Sequence, residues 1–143
     1  MRRTLGVGVV LLLVALLVPG AASGQQNTSE RANRLGQNYP NPFNPTTRIP
    51  FVLLDEDFVD GRPAVVSIRI RDVLGRLVAV PTALKHSEGN VKVENLEYTL
   101  AGPQEAYWDG MDRSGRKVAS GIYLLELIVN GERMPPRKML VAK

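Results

Sequence analysis

The sequence predicts an all-β fold, an Ig-like antiparallel β-sandwich of about seven short strands. Apolar and polar residues alternate over several short runs, which is the pattern of half-buried strands. Clusters of Gly, Asn, Asp and Pro separate these runs, and no segment shows the periodicity of a helix. The chain has no cysteine, so we expect its core to hold the domain without disulfides.

Residues 1–24 have the anatomy of a secretory signal peptide. A basic start precedes an unbroken apolar run over residues 5–18, and small residues stand at the recognition positions before Gln25. The run is shorter than the roughly 20 residues that a membrane span needs. We therefore expect export, cleavage after Gly24 and no stable membrane span afterwards, with an uncleaved anchor as the alternative.

Charge and length limit what the exported part can be. Cleavage leaves residues 25–143, enough for one domain. Two of the 18 basic residues belong to the signal peptide, which leaves 16 against 14 acidic residues. The basic residues are scattered along the chain and form no dense patch, so we expect no nucleic-acid partner.

The domain is expected to span residues 35–143, after a flexible polar lead over residues 25–34. It opens with the run LGQNYPNPFNPTT at 35–47, which is rich in proline and asparagine. Prolines exclude a helix or a central strand, so this Pro/Asn-rich segment is expected to be extended along an edge of the sandwich. The apolar side chains of Tyr39 and Phe43 would pack against the sandwich and anchor this segment. A proline-rich ligand for an aromatic groove is the alternative.

The next segments predict strands and their connections. Residues 48–54 form a first strand, which Pro50 marks as an edge strand. Residues 64–72 alternate cleanly, turn at Gly75 and pair back over residues 77–80. Residues 82–90 are expected to be a loop, with the only histidine, His86, exposed and inert.

An acidic loop over residues 55–63 allows two interpretations. Its carboxylates could hold a calcium ion, because hard cations prefer several oxygen ligands, but the spacing fits no known calcium loop. An ordinary solvated connection is the other interpretation. The candidate ligands are Asp55, Glu56, Asp57 and Asp60.

The alternation over residues 91–100 changes phase at Asn95, which predicts a bulge or a corner where the chain changes sheets. Residues 107–129 are then expected to form a long β-hairpin, with Trp108 in the core. Tyr123 stands where a tyrosine corner occurs in Ig-like domains. Asn130 begins a two-residue turn, and residues 138–143 form the closing strand. The hairpin's turn cluster is Asp109, Gly110, Asp112, Ser114 and Gly115.

These motifs, in this order, resemble the C-terminal secretion and sorting domains of proteins exported by the type IX (Por) system of Bacteroidetes-type bacteria. They are also similar to the Ig-like domain of flagellar hook-capping proteins. The two specific blocks are the Asn-Pro run and the segment WDGMDRSGRKVASGIY at 108–123. The matching positions are Asn38, Pro40, Asn41, Pro42, Phe43, Asn44, Pro45, Gly75, Trp108, Asp109, Gly110, Asp112, Gly115, Gly121, Tyr123 and Lys138.

The resemblance implies a non-catalytic β-domain that an outer-membrane translocon recognises, and that a surface protease usually removes. Two features depart from the family's pattern: only residues 25–34 precede the Asn-Pro run, so no cargo domain is expected there, and residues 83–100 look longer than usual. We expect no enzyme activity, no cofactor and no metal site. The partner would be a secretion translocon or another exported protein. The alternatives are a free-standing assembly module of the hook-cap kind and, less favoured, an adhesin or carbohydrate binder.

Overall fold

The computed structural model describes residues 30–31 and 33–143, which form nine strands in two antiparallel sheets packed as a sandwich. This confirms the predicted all-β sandwich. The predicted signal peptide and most of the lead lie outside the described residues. Within the described part, no helix has the length and apolar character needed to cross a membrane.

The smaller sheet has three strands in the order β1–β6–β4. The strands are β1 (Thr47–Leu53), β4 (Thr82–Leu84) and β6 (Gly102–Trp108). Pro50 lies in β1 at the edge of this sheet, as predicted, because proline has no N–H to donate to a second neighbour.

The larger sheet is built on the long pair β2 (Ala64–Asp72) and β7 (Gly121–Val129). The free side of β2 pairs with β3 and β5, and the free side of β7 pairs with β8 and β9. These shorter strands are β3 (Leu77–Ala79), β5 (Leu96–Tyr98), β8 (Glu132–Arg133) and β9 (Arg137–Val141).

The core follows the alternation that the sequence shows. Val66, Ile68 and Ile70 of β2 are fully buried, and the inward residues of β7 are at most 8% exposed. On the outer face of β7, the charged residue Glu126 is only 9% exposed. The side chains of Arg71 and Arg133 cover it and form ion pairs at 3.1 and 3.3 Å.

The predicted hairpin over residues 107–129 is wrong. Its two strands exist, but β6 pairs with β1 and β4 whereas β7 pairs with β2, β8 and β9. The connection at 109–120 therefore crosses from one sheet to the other. Periodicity identifies strands by their buried faces, and it carries no information about which strand supplies the hydrogen bonds.

Two further expectations concern the segment from residue 82 to residue 98. The expected loop at 82–90 begins with a strand, β4, and His86 is half-buried: its ring lies 4.7 Å from that of Tyr98, and its Nε2 is 2.8 Å from the Glu97 carbonyl oxygen. The corner at Asn95 is confirmed. Asn95 has a φ of 47°, Lys92 before it bridges to Thr82 of the small sheet, and β5 after it joins the large sheet.

A buried ion pair fastens the start of the domain. Residues 30, 31, 33 and 34 are helical, and the Arg34 guanidinium pairs with the Asp57 carboxylate, with both side chains less than 10% exposed. Asp57 also accepts a hydrogen bond from the Leu54 N–H, 2.8 Å away. One of the four candidate calcium ligands is thus committed to the fold, and no three candidate metal ligands converge within residues 30–31 and 33–143.

We expect Asp57→Ala to lower the free energy of unfolding by about 3–5 kcal/mol, because it leaves the buried Arg34 charge without its partner. The double variant Arg34→Met/Asp57→Ala should recover part of the loss. Urea unfolding measures both, with the exposed neighbour change Glu56→Ala as control. Equal midpoints for Asp57→Ala and Glu56→Ala would show that the pair contributes nothing.

Tyr98 gives a second prediction, since its hydroxyl is buried without a hydrogen-bond partner among the described residues. Burial raises the pKa of Tyr98 from 10.0 to about 12. The unfolded chain therefore loses this proton first as pH rises, and the native state loses stability between these two values. Tyr98→Phe should be neutral or stabilising at pH 7 and should flatten the alkaline loss. Thermal unfolding across this pH range checks it, and an undiminished slope in Tyr98→Phe would contradict it.

Candidate recognition surface

Residues 36–46, which we call the Asn-Pro strap, connect the edges of the two sheets. At one end, the Gly36 N–H donates to the Pro50 carbonyl and the Tyr39 N–H donates to the Arg48 carbonyl, both at 2.9 Å, along β1. At the other end, Phe43 forms a parallel bridge beside β9. The Phe43 N–H donates to the Leu140 carbonyl at 3.0 Å, and the Ala142 N–H donates to the Phe43 carbonyl at 3.1 Å. The strap therefore lies along the sandwich edge, as predicted, and it joins both sheets.

The asparagines supply hydrogen bonds that this irregular backbone cannot make alone. Asn38 is 1% exposed, and its Nδ2 donates to the Thr47 hydroxyl at 3.0 Å and to the Pro40 carbonyl at 3.2 Å. Asn41 Oδ1 accepts from the Leu140 N–H at 2.9 Å, so it holds β9. The three prolines have no N–H to satisfy, and their preceding peptide bonds are cis. Asparagine side chains thus supply hydrogen-bond partners, and prolines remove N–H groups that would need one, in a segment that belongs to neither sheet.

Three aromatic rings join the strap to both sheets. Phe43 of the strap lies 5.2 Å from Trp108 of β6, and Trp108 lies 5.9 Å from Tyr123 of β7, measured between ring centroids. Both Phe43 and Trp108 are 1% exposed, which confirms Trp108 as a core residue. The Trp108 indole N–H donates to the Met111 carbonyl at 2.9 Å. Each ring thus belongs to a different part of the fold.

Tyr123 forms the predicted tyrosine corner, because its hydroxyl donates to the Ala119 carbonyl four residues upstream, at 2.8 Å. Burial, and secondarily the Asp72 carboxylate, raises the pKa of Tyr123. Tyr39 differs from the expectation that it anchors the strap through apolar packing. It is 46% exposed, and its hydroxyl bonds to the Glu105 carboxylate.

The carboxylates of the 109–120 connection form turns, as predicted. Asp109 Oδ1 accepts from the Met111 N–H at 3.0 Å. Asp112 Oδ1 accepts from the hydroxyl of Ser114 and from the N–H groups of Ser114 and Arg116, at 2.6 to 3.0 Å. These bonds, the hydroxyl foremost, hold the pKa of Asp112 below its usual value. Both groups therefore serve the local backbone.

Gly110 is the point at which this connection touches the strap. It has a φ of 76°, and a Cβ built there would lie 2.5 Å from the Pro45 carbonyl oxygen. Gly115 has a similar φ of 80°, but a Cβ there would meet nothing within 4 Å. Only a glycine fits between the connection and the strap. The sequence shows this glycine, but no pattern in it indicates the contact with the strap.

The remaining motif residues divide between the strap and the neighbouring turns. Pro40, Asn41, Pro42, Asn44 and Pro45 are exposed along the strap. Lys138 is exposed on β9, where its carbonyl accepts from the Gln37 side chain at 3.1 Å. Gly75 lies in the β2–β3 turn and Gly121 begins β7, so neither contributes to the strap.

Sequence reasoning missed one part of this surface. Leu140 of β9 is 40% exposed and stands opposite Ile122 of β7, which is 48% exposed. This apolar pair lies beside the strap on the outer face of the large sheet. The alternation along β9 places Leu140 on the outward face, and this position in the alternation is the signal that the sequence offers.

No protein-family model matches the sequence, and no curated protein matches it significantly. Among solved structures, dimeric latent PorU from Porphyromonas gingivalis aligns with 76% of this chain at 24% identity and a TM-score of 0.52. PorZ, a surface component of the type IX secretion system of the same organism, aligns with 85% at 19% identity and a TM-score of 0.46. The DNA glycosylase AlkC from Pseudomonas fluorescens aligns with 74% at 16% identity and a TM-score of 0.46.

The chain spans only 9% of the PorU chain, 13% of PorZ and 28% of AlkC. PorU is the one of the three whose TM-score exceeds 0.5. At this level of identity the likeness establishes a shared fold, a β-sandwich that occurs as a small part of a much longer protein.

We expect Gly110→Ala to destabilise the domain more than Gly115→Ala does. Both changes carry the roughly 1–2 kcal/mol penalty of a left-handed residue with a side chain, but only the first also collides with the strap at Pro45. Urea unfolding of the two variants measures the difference. Equal losses would mean that the strap moves aside without cost.

Proposed function

We propose that this chain is a non-catalytic secretion and sorting module, directed to or across the outer membrane by a type IX-like system. It would be exported by its signal peptide and act at the outer-membrane surface, outside the cell or in the periplasm. The observation that carries the proposal is the contact of Phe43 with Trp108, which joins the two sequence blocks that resemble sorting domains. Phe43 and Trp108 are 65 positions apart in the sequence, and here the two blocks pack against each other.

The surface suits recognition by a translocon because it is rigid before it binds. The strap's backbone is held at both sheet edges, and Asn38 is locked by its own hydrogen bonds. A preorganised ligand loses little conformational freedom on binding, which favours affinity. The exposed prolines of the strap and the side chains of Lys138 and Leu140 form its accessible face.

The side chains that could take part in catalysis make hydrogen bonds or ring contacts within the fold, which supports a non-catalytic role. Asp109 and Asp112 accept hydrogen bonds from their own turn. The single histidine contacts the Glu97 carbonyl and the ring of Tyr98. Covalent catalysis by a hydroxyl usually needs an adjacent base that is free to take the proton, and these side chains are held by other contacts.

The alternatives receive less support from the geometry. A hook-cap-like module would associate through an open strand edge, but the strap covers the outer edges of β1 and β9, and the backbone of residues 91–93 bonds beside β4. An adhesin would need several exposed aromatic side chains, yet Phe43 and Tyr98 are buried; Tyr39 is exposed, and its hydroxyl is bonded to the Glu105 carboxylate. The likeness to PorU supports a modular domain, because the matching fold is a small part of the PorU chain.

The test is a reporter protein inserted between residues 29 and 30, so that both the predicted signal peptide and Arg34 are kept, and expressed in a host with a type IX system. We expect surface delivery of the fusion. Deleting residues 138–143 should abolish delivery, but it also removes the core residues Met139 and Val141. Lys138→Glu/Leu140→Ser changes only the exposed side of the same strand, and we expect it to reduce delivery at least tenfold while the melting temperature changes little.

The matched control is Lys92→Glu/Leu100→Ser, an exposed lysine and leucine away from the strap. It should leave delivery unchanged. Surface fluorescence of intact cells, normalised to total reporter, separates sorting from expression. Delivery that is insensitive to the Lys138 and Leu140 changes, or absent for the unaltered fusion, would refute the proposal.

A further inference from the structure

Two turns at one end of the sandwich have the same sequence pattern and the same geometry. They are DVLGR at 72–76 and DRSGR at 112–116. In each, the aspartate Oδ1 accepts the N–H groups of the residues two and four positions later, at 2.9 to 3.0 Å. In each, the glycine N–H also donates to the aspartate carbonyl. Both turns are therefore rigid, and both project their second and third residues away from the fold.

The tips of the two turns differ in chemistry. The first projects Val73 and Leu74, which are 68% and 74% exposed. The second projects Arg113 and Ser114, which are also exposed. Single exposed apolar residues are normal in soluble proteins, but an adjacent pair at the tip of a rigid turn is a concentrated apolar projection. This apolar turn lies beside the turn that exposes the cationic side chain of Arg113.

The two turns border a shallow cleft of about 720 Å³ with a positive lining. Four cations, Arg76, Arg113, Arg116 and Lys117, face two carboxylates there, a net charge of +2. The carboxylates are occupied: Asp72 pairs with Arg76 at 2.7 Å, and Asp112 lies 3.7 Å from Arg116. Arg113 and Lys117 have no anionic partner in the described part of the chain, so their charges are available to a ligand.

We propose that this end of the sandwich docks on a membrane surface that contains anionic phospholipids. Val73 and Leu74 enter the boundary between headgroups and acyl chains, while Arg113 and Lys117 contact lipid phosphates. Peripheral proteins bind bilayers by this combination of apolar insertion and electrostatic attraction. The apolar residues protrude on a convex tip and line no groove, which suits a fluid surface better than a folded partner.

The experiment is co-sedimentation with vesicles of phosphatidylcholine, with or without phosphatidylglycerol. The chain from residue 25 onward is used, because the apolar run at 5–18 would bind vesicles by itself; this form keeps every residue that the structure describes. We expect binding to the phosphatidylglycerol vesicles only, and weaker binding as salt concentration rises. Arg113→Gln/Lys117→Gln should weaken binding about 30-fold. Val73→Ser/Leu74→Ser should weaken it roughly tenfold or more.

The control Val59→Ser/Leu100→Ser removes two apolar side chains of similar exposure at the opposite end of the sandwich, and it should bind as the unaltered chain does. All these positions are exposed, so circular dichroism should show an unchanged fold. Equal binding to both vesicle types, or insensitivity to either tip variant, would overturn the proposal. So would full competition by inorganic phosphate or by polyglutamate, because it would identify a soluble anion or an acidic peptide as the ligand.

Discussion

The contact of three aromatic rings is the interaction on which the rest of this structure depends. Phe43 comes from the strap, Trp108 from the small sheet and Tyr123 from the large sheet. Neither sheet can move relative to the other without separating these rings. With no disulfide in the chain, this buried contact and the aliphatic core around it hold the sheets together.

The strap solves the problem that every open sandwich has with its edges. An uncovered strand edge offers a row of unpaired N–H and C=O groups to any other chain. Here a short segment without regular structure covers one edge of each sheet. Asparagine side chains and N–H-free prolines suit that task, because such a backbone has few neighbours to satisfy its donors. The unusual composition of residues 36–46 thus has a physical explanation that does not depend on any partner.

Much of the fold could be predicted from the sequence, because strands with one buried face show alternation. The buried face of β2, the change of sheet at Asn95 and the role of Trp108 all follow from local patterns. The partner of each strand does not, so the pattern over residues 107–129 predicts a hairpin, whereas β6 and β7 lie in different sheets. The Arg34–Asp57 pair also escaped prediction, since charged residues in polar segments are normally solvated. In the candidate recognition surface, the sequence shows the unusual composition of the strap. It does not show the strap's contacts with Gly110 and Leu140, because these positions are far apart in the chain.

The placement of the strap has a consequence for the timing of folding. Phe43 lies early in the domain, yet its backbone bonds require Leu140 and Ala142, about a hundred residues later. A chain that emerges from the ribosome or a narrow pore, amino end first, cannot complete this edge until residue 142 has appeared. Such sequence-distant pairing slows folding. The outer edge of the large sheet is therefore covered only after β9 has formed, which makes the docking of the strap a late step of folding.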